Sequence, residues 1–335
     1  MNVFEMTRAL VDIESITNNE GEVGAWLFDR LSGLAARTGG TVERMDVEPF
    51  PRFNVFAAWD QPRVTLTSHM DVVPPFFPSH EDDAYIYGRG ACDAKGIIAA
   101  MIGAAEKLLA RDRRGFGLLF VVGEERNSAG AFAAARNGRG SRYLINGEPT
   151  ENQLALGSKG ALRYEIVARG RMAHSAYPEL GDSAIEKLLD VLEKVRRIPM
   201  PHDPVLGGGS LNIGTISGGR APNVIPDNAR AEIMIRLVAD ADPIRKAIQE
   251  AAAGRVEASE VMCIPAIRLN SIPDLPTTVV SFTTDIPAFG PAWGEPFLIG
   301  PGSILVAHTL DEKVPKQQLL DAVDIYSTMV ERLLA

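Results

Sequence analysis

The chain has 335 residues, 46% of them hydrophobic and 23% charged, with a formal net charge of -9. That length suggests roughly two domains, the composition allows a large core and excludes a mainly disordered chain, and the acidic balance argues against nucleic acid as the main partner. Cys92 and Cys263 are the only cysteines, too few for a disulfide framework.

No apolar run reaches the ~18 residues that cross a bilayer. Met1-Asn2-Val3-Phe4-Glu5 carries neither a basic stretch nor an apolar one, so no signal peptide is read there and a cytoplasmic location is expected.

In chain order, residues 2–14 and 20–37 read as helices, with apolar residues three and four apart. The segment from Ser15 to Glu20 reads as a turn with an N-cap. Asn54–Trp59 and Val64–Ser68 are short, apolar and β-prone. Gly96–Leu109 reads as a buried helix, Gly117–Val122 as a strand, Ser128–Asn137 as a helix and Tyr143–Asn146 as a strand. Alternation of this kind predicts an α/β layered fold with a central twisted mixed sheet.

After about Ser158 the pattern changes. Ala161–Ala168, Ser210–Ile216, Ala229–Leu237 and Val256–Pro265 read as strands, and Ser183–Arg197 and Pro243–Ala253 as helices. Strand-helix-strand-strand-helix-strand is the order of a ferredoxin-like α+β unit. From Leu269 the α/β character returns and ends in a helix over Pro315–Leu334. The expected organisation is a discontinuous metal-binding catalytic domain (1–158 and 267–335) with an inserted lid and dimerisation domain (159–266).

Several short segments carry ligand-type residues at predicted strand ends, where α/β folds bind ligands. His69 and Asp71 stand two apart in Ser68-His69-Met70-Asp71, so in extended chain they face the same side. A carboxylate beside a ligating histidine fixes its tautomer, although a surface turn with a satisfied histidine fits the pair equally well. Asp93 sits in Tyr87-Gly88-Arg89-Gly90-Ala91-Cys92-Asp93-Ala94-Lys95-Gly96. That run lacks the spacing and the Ser or Thr after lysine that a phosphate loop needs. Glu124 and Glu125 follow a strand, and successive residues there diverge. One can bind a metal while the other addresses its water, or both can simply be solvated. Glu148 follows the next strand in the same way, and His308 lies far downstream. Together these residues supply donors for two adjacent metal ions with one carboxylate left as a base.

Taken together, His69–Pro75, Tyr87–Gly96, Gly123–Glu125, Gly147–Thr150, Gly170–Ala184, Asn223–Arg236 and Gly300–Val314 resemble the di-zinc amidohydrolase/exopeptidase family. That family contains acetylornithine deacetylase, succinyl-diaminopimelate desuccinylase, aminoacylase and carboxypeptidase G. The resemblance runs in the family's order over nearly the whole chain. It implies a zinc-exopeptidase-like catalytic domain holding two Zn2+ ions, with Co2+ or Mn2+ tolerated by a donor set of histidine and carboxylate. It implies that Asp93 bridges both metals, that His69 and Glu148 complete one site, and that Glu125 and His308 complete the other. Asp71 would orient His69, Glu124 would be the general base, and the Asp93-Ala94 peptide would be cis.

In the inserted region, His174 read in isolation is more a structural histidine than a catalytic one. The resemblance implies instead that it reaches a partner subunit's active site and holds the oxyanion, which makes a homodimer the expected assembly. Asn223 and Arg236 match positions that contact substrate, and a guanidinium holds a carboxylate at two points. Lys159 can bind an acid group or be a solvated hinge charge, and the backbone around Gly302 is a further candidate. Cys92 reads as a packing residue, and His80 and His202 as surface residues. Three features depart from the family: short segments at Val73–Tyr85 and at Leu269–Leu298, and Lys313 where tyrosine is common.

The expected activity is hydrolysis of the amide of an N-acyl amino acid. A dipeptidase or carboxypeptidase is the alternative, and a carrier-protein-linked amino-acid deacylase a third option. From a different class, a non-catalytic dimeric binding protein would retain the fold without the chemistry. The expected partners are a small acylated amino acid or dipeptide, with no nucleic acid and no membrane.

Overall fold

The computed structural model describes residues 1–48 and 51–335. The chain divides into two compact units. One comprises Met1–Leu156, Leu269–Thr278 and Thr284–Ala335, the other Gly157–Arg268 and Val279–Thr283. Among the described residues no helix is long and apolar enough to cross a membrane.

The first unit is built on a six-stranded mixed sheet. Its order is Thr41–Asp46, Phe53–Trp59, Phe116–Val121, Val64–His69, Tyr143–Asn146, Glu295–Leu298. Among the first three strands each runs antiparallel to its neighbour, whereas the last four are parallel neighbours. Alternate residues serve opposite faces, as strand geometry requires. Val55, Ala57, Trp59, Leu118 and Phe120 join one core with the helices Val3–Val11, Gly21–Thr38, Lys95–Leu109 and Lys316–Leu334. Phe56, Ala58, Leu119 and Val121 join a second core with Ala131, Ala134, Phe289 and Trp293. Helices thus cover both faces, the layering expected for this alternation.

Local chemistry explains the element ends. The first helix starts where the Asn2 side chain accepts the N–H groups of Phe4 and Glu5 and the Glu5 carboxylate accepts that of Asn2, a reciprocal cap. Its periodic residues stop at Val11, short of the predicted end at 14. The second helix buries Val23, Leu27, Leu31 and Leu34, each contributing roughly 1.5–3 kcal/mol of apolar burial, and closes on Gly39 at φ +74°. No side chain caps its start, contrary to expectation. Ser15 donates instead to the Met70 carbonyl at 2.8 Å and ties this turn to the sheet.

The second unit is a four-stranded antiparallel sheet in the order Ser210–Gly218, Asn228–Leu237, Gly160–Arg169, Glu257–Ile264. Counted along the chain, that is second-third-first-fourth, the ferredoxin-like arrangement. The helices Ala184–Arg196 and Asp242–Ala252 pack with it over Leu162, Ile166, Leu188, Val191, Ile233, Ile235 and Ile248. The strands also carry paired charges, such as Arg230 with Glu165 at 2.6 Å and with Glu232 at 2.8 Å.

Candidate metal centre

Four parallel strands lie side by side in the first unit, and their C-terminal ends open on one side of the sheet. His69 ends one strand. Glu124 and Glu125 follow the next, and Glu148 follows the third. The fourth leads into Gly300–Glu312, which carries His308. Asp93 comes from the glycine-rich loop that opens the helix Lys95–Leu109, and its peptide bond to Ala94 is cis, as the resemblance implies. Gly147, directly before Glu148, has no room for a side chain. A Cβ there would stand 2.3 Å from Ile97 Cγ2.

These ends converge. His69 Nε2 lies 2.9 Å from Asp93 Oδ1 and 4.0 Å from Glu148 Oε2. His308 Nε2 lies 3.4 Å from Asp93 Oδ2 and 3.0 Å from Glu125 Oε2. Donor atoms of His69, Asp93 and Glu148 all fall within 4.8 Å of one another, as do those of Asp93, Glu125 and His308. Asp93 is common to both groups and turns one carboxylate oxygen to each histidine.

Around this centre stand Asp71, Asp93, Glu124, Glu125 and Glu148. Among the described residues histidines are their only cationic partners within salt-bridge reach. Burial pushes the carboxyls of Glu124 and Glu148 well above their ordinary range, and burial with the nearby Asp93 charge raises Glu125. Burial also opposes charge on Asp93, but His308 and His69 outweigh it and hold that carboxyl low. His308 is pushed up to about 10 by its hydrogen bonds to Asp93 and Glu125. For His69, burial opposes protonation, yet Asp71 and Asp93 raise it well above the ordinary histidine range. So many acids gathered without lysine or arginine are unfavourable unless cations join them. Oxygen and imidazole donors at this spacing fit two divalent ions of the zinc type.

Asp71 lies beside His69 and has further partners. His69 Nδ1 faces the backbone carbonyl of Asp71 at 3.0 Å, while the carboxylate is farther off at 3.6 Å. That carboxylate also accepts the N–H of Glu124 at 3.0 Å, the N–H of Glu125 at 3.2 Å and the hydroxyl of Thr17 at 2.8 Å. It fixes the backbone of the two glutamates. Thr17 was read only as part of a turn, and nothing in its local sequence marks it.

Gly302 has φ +88° and packs on Cys92, whose Sγ would meet a Cβ there at 2.5 Å. This agrees with reading Cys92 as a packing residue. The Gly302 N–H, however, donates to Gln318 Oε1 at 2.7 Å. That N–H, one of several in this stretch of backbone, is engaged within the chain.

The remaining candidates lie in the second unit, at two ends of its sheet. His174 and Asn223 are exposed and adjacent. The backbone of His174 bridges Val224, and the Asn223 carbonyl accepts the N–H of Ser175 at 3.0 Å. Arg236 and Lys159 stand at the opposite end, where Arg236 is opposite Ala161 and Lys159 Nζ donates to the Gly208 carbonyl at 2.7 Å. From Asn228 to Arg236 the strand extends roughly 25 Å, so within one unit these two pairs do not meet.

The sequence pattern described as peptidase family M20/M25/M40 matches residues 65–332. A peptidase M20 domain-containing protein of Schizosaccharomyces pombe is 38% identical over 98% of this chain and 84% of its own length. A "probable carboxypeptidase" of Aspergillus oryzae is also 38% identical, over 98% of this chain and 86% of its own. Among solved structures, an aminopeptidase of Bacillus cereus superposes with a TM-score of 0.82 at 19% identity, covering 100% of this chain and 98% of that one, which shows a shared fold. With the pattern matched over most of its length and relatives aligned almost end to end, the chain belongs to peptidase family M20/M25/M40.

Proposed function

We infer that this M20-family hydrolase, an enzyme acting on amide bonds, cleaves the amide next to a free carboxylate and releases a C-terminal amino acid. The observation that carries the reading is the double donor set sharing Asp93. His69, Asp93 and Glu148 would hold one divalent ion, and Asp93, Glu125 and His308 the other. When bound, such a pair polarises the scissile carbonyl and lowers the pKa of water.

The chain's own residues do the rest. Glu124, its carboxyl raised by burial above the ordinary range, takes the proton of the attacking water and returns it to the leaving nitrogen. Asp71 holds the Glu124 backbone in place. Arg236, which has no hydrogen-bonded partner for its guanidinium among the described residues, would grip the substrate carboxylate at two points. His174 would stabilise the oxyanion. Because His174 and Arg236 stand at opposite ends of one sheet, the reading assigns His174 to a second copy of the chain, in a homodimer formed through the inserted unit.

The names of the relatives favour a peptidyl or aminoacyl group on the acyl side, as in a carboxypeptidase or dipeptidase. A simple N-acyl amino acid, the first expectation from sequence, carries the same amide and the same carboxylate. It is the second reading, supported by the resemblance of Gly300-Pro301-Gly302-Ser303 to deacetylases of the acetylornithine type more than to the desuccinylases. Zinc- or cobalt-loaded protein should be given N-blocked dipeptides, the same dipeptides with amidated C-termini, free dipeptides and N-acetyl amino acids. Turnover should require the free carboxylate. Equal cleavage of amidated and acid forms would refute the reading, and turnover of N-acetyl amino acids alone would select the second.

A further inference from the structure

We propose that Glu312, with Arg89, is the positioning residue of the whole metal centre, setting Asp93 and His308 relative to each other. The proposal rests on the two-metal reading above. Glu312 is 1% exposed and lies four residues beyond His308 on the same segment. Its Oε1 accepts three backbone donors of the Asp93 loop: Gly90 N at 2.9 Å, Cys92 N at 3.2 Å and Asp93 N at 3.1 Å. Its Oε2 accepts from Arg89 Nη1 at 2.5 Å, and its carbonyl accepts the N–H of Gly88 at 3.1 Å. Gly88 at φ +138° and Gly90 at φ +88° let the loop turn these N–H groups to one point. One carboxylate therefore gathers the loop that carries the shared ligand and ties it to the segment that carries His308.

Stability alone does not account for this pair. Both side chains are 1% exposed, and a buried ion pair gains little over an apolar replacement. Arg89 Nη2 is buried and finds no partner among the described residues, which adds a cost. Arg89 also reaches the Pro75 carbonyl at 3.2 Å and lies over Phe77 at 5.0 Å, so the pair anchors a third segment, the one that leaves His69 and Asp71. What the arrangement secures is geometry. Asp93 serves both groups of donors, so an error in its position is felt at both.

The test compares metal uptake by wild type, Glu312→Gln and Glu148→Gln, titrating Zn2+ against a chromophoric chelator. Far-UV circular dichroism of the metal-free proteins serves as the fold control. Wild type takes two ions per chain. Glu312→Gln, still folded, should bind both with affinity weakened about 10–100-fold, whereas Glu148→Gln should weaken one. A folded Glu312→Gln that binds both ions as wild type does, or loses only one, overturns the proposal. If Glu312→Gln does not fold, Arg89→Lys reads the same two affinities. Failure of both variants to fold makes the pair a folding element and overturns the proposal as well. Fewer than two ions on wild type sinks the two-metal reading itself, and this inference with it.

Discussion

Asp71 accepts the backbone N–H of Glu124 at 3.0 Å, so the carboxylate one residue beyond Met70 sets where Glu124, the proposed base, stands. The same side chain holds Glu125 and is itself held by Thr17. Asp71→Asn keeps the shape but turns an amide N–H toward one backbone donor. Turnover should fall about 10–100-fold while both ions remain bound. Thr17→Val removes one of three contacts and should cost about 1 kcal/mol of stability, with a smaller loss of turnover. Steady-state kinetics with metal analysis on both variants checks the order. A Thr17→Val variant more impaired than Asp71→Asn would contradict it.

Glu124 has no hydrogen-bonded or ion-paired partner for its own carboxylate among the described residues, and burial raises its pKa. Those are the conditions for a base left free to meet a proton in transit. Glu124→Ala and Glu124→Gln should retain two ions and lose about 10²–10⁴-fold in kcat, with KM little changed. Near-normal turnover in either variant refutes the assignment.

How much of this was legible in the sequence follows from what each element has to do. The parallel strands that carry His69, Glu124, Glu125 and Glu148 are short apolar runs ending in polar residues, so their existence and their ends could be read directly. Thr41–Asp46 was missed because it is an edge strand with an irregular exposure pattern and charged residues at Glu43 and Arg44, so no alternation announces it. Leu154–Ser158 was missed for a different reason: its apolar run is interrupted by Gly157, where Leu206 packs at 2.6 Å from a would-be Cβ. The members of the two donor groups stand out in the sequence because metal chemistry demands particular residue types. Thr17, Arg89 and Glu312 do not, since a threonine, an arginine and a glutamate in loops are ordinary, and only folding shows which backbone groups they hold. The further contacts of Asp71 have the same root. Spacing placed it beside His69 correctly, but could not say that its carboxylate would face the glutamates.

Metal binding should release protons. In the metal-free protein His308 titrates at about 10, so near neutral pH it carries a proton that a metal must displace. Burial raises the carboxyls of Glu125 and Glu148 as well, the same direction of competition between proton and metal. Affinity for Zn2+ should therefore rise with pH across the neutral range. Calorimetric titrations in buffers of different ionisation heat should show proton uptake by the buffer. His308→Ala should bind less metal and release fewer protons. Affinity independent of pH would contradict the paired arrangement of His308 with Asp93 and Glu125.

Lys95 gives the last prediction, and it concerns stability. The side chain is fully buried, its Nζ donates to the Ile13 carbonyl at 2.5 Å, and burial lowers its pKa from 10.5 to about 7. An unfolded chain keeps this proton up to about pH 10.5, the folded chain only to about 7. Between those values the unfolded state binds more protons, so this lysine makes the fold more stable as pH rises. Below about pH 7 both states are protonated and the contribution is flat, at its least favourable. His308 acts with the opposite sign in the same window, because its raised pKa favours the fold at low pH and that benefit fades toward 10. Comparing metal-free wild type with metal-free Lys95→Met cancels the histidine. Urea unfolding at pH about 7.5 and about 9 should show wild type gaining on the variant by up to about 1.4 kcal/mol per pH unit. A difference that stays constant with pH would mean that Lys95 remains charged in the folded protein, held by Glu312, Asp12, Glu14 and Asp71 against its burial.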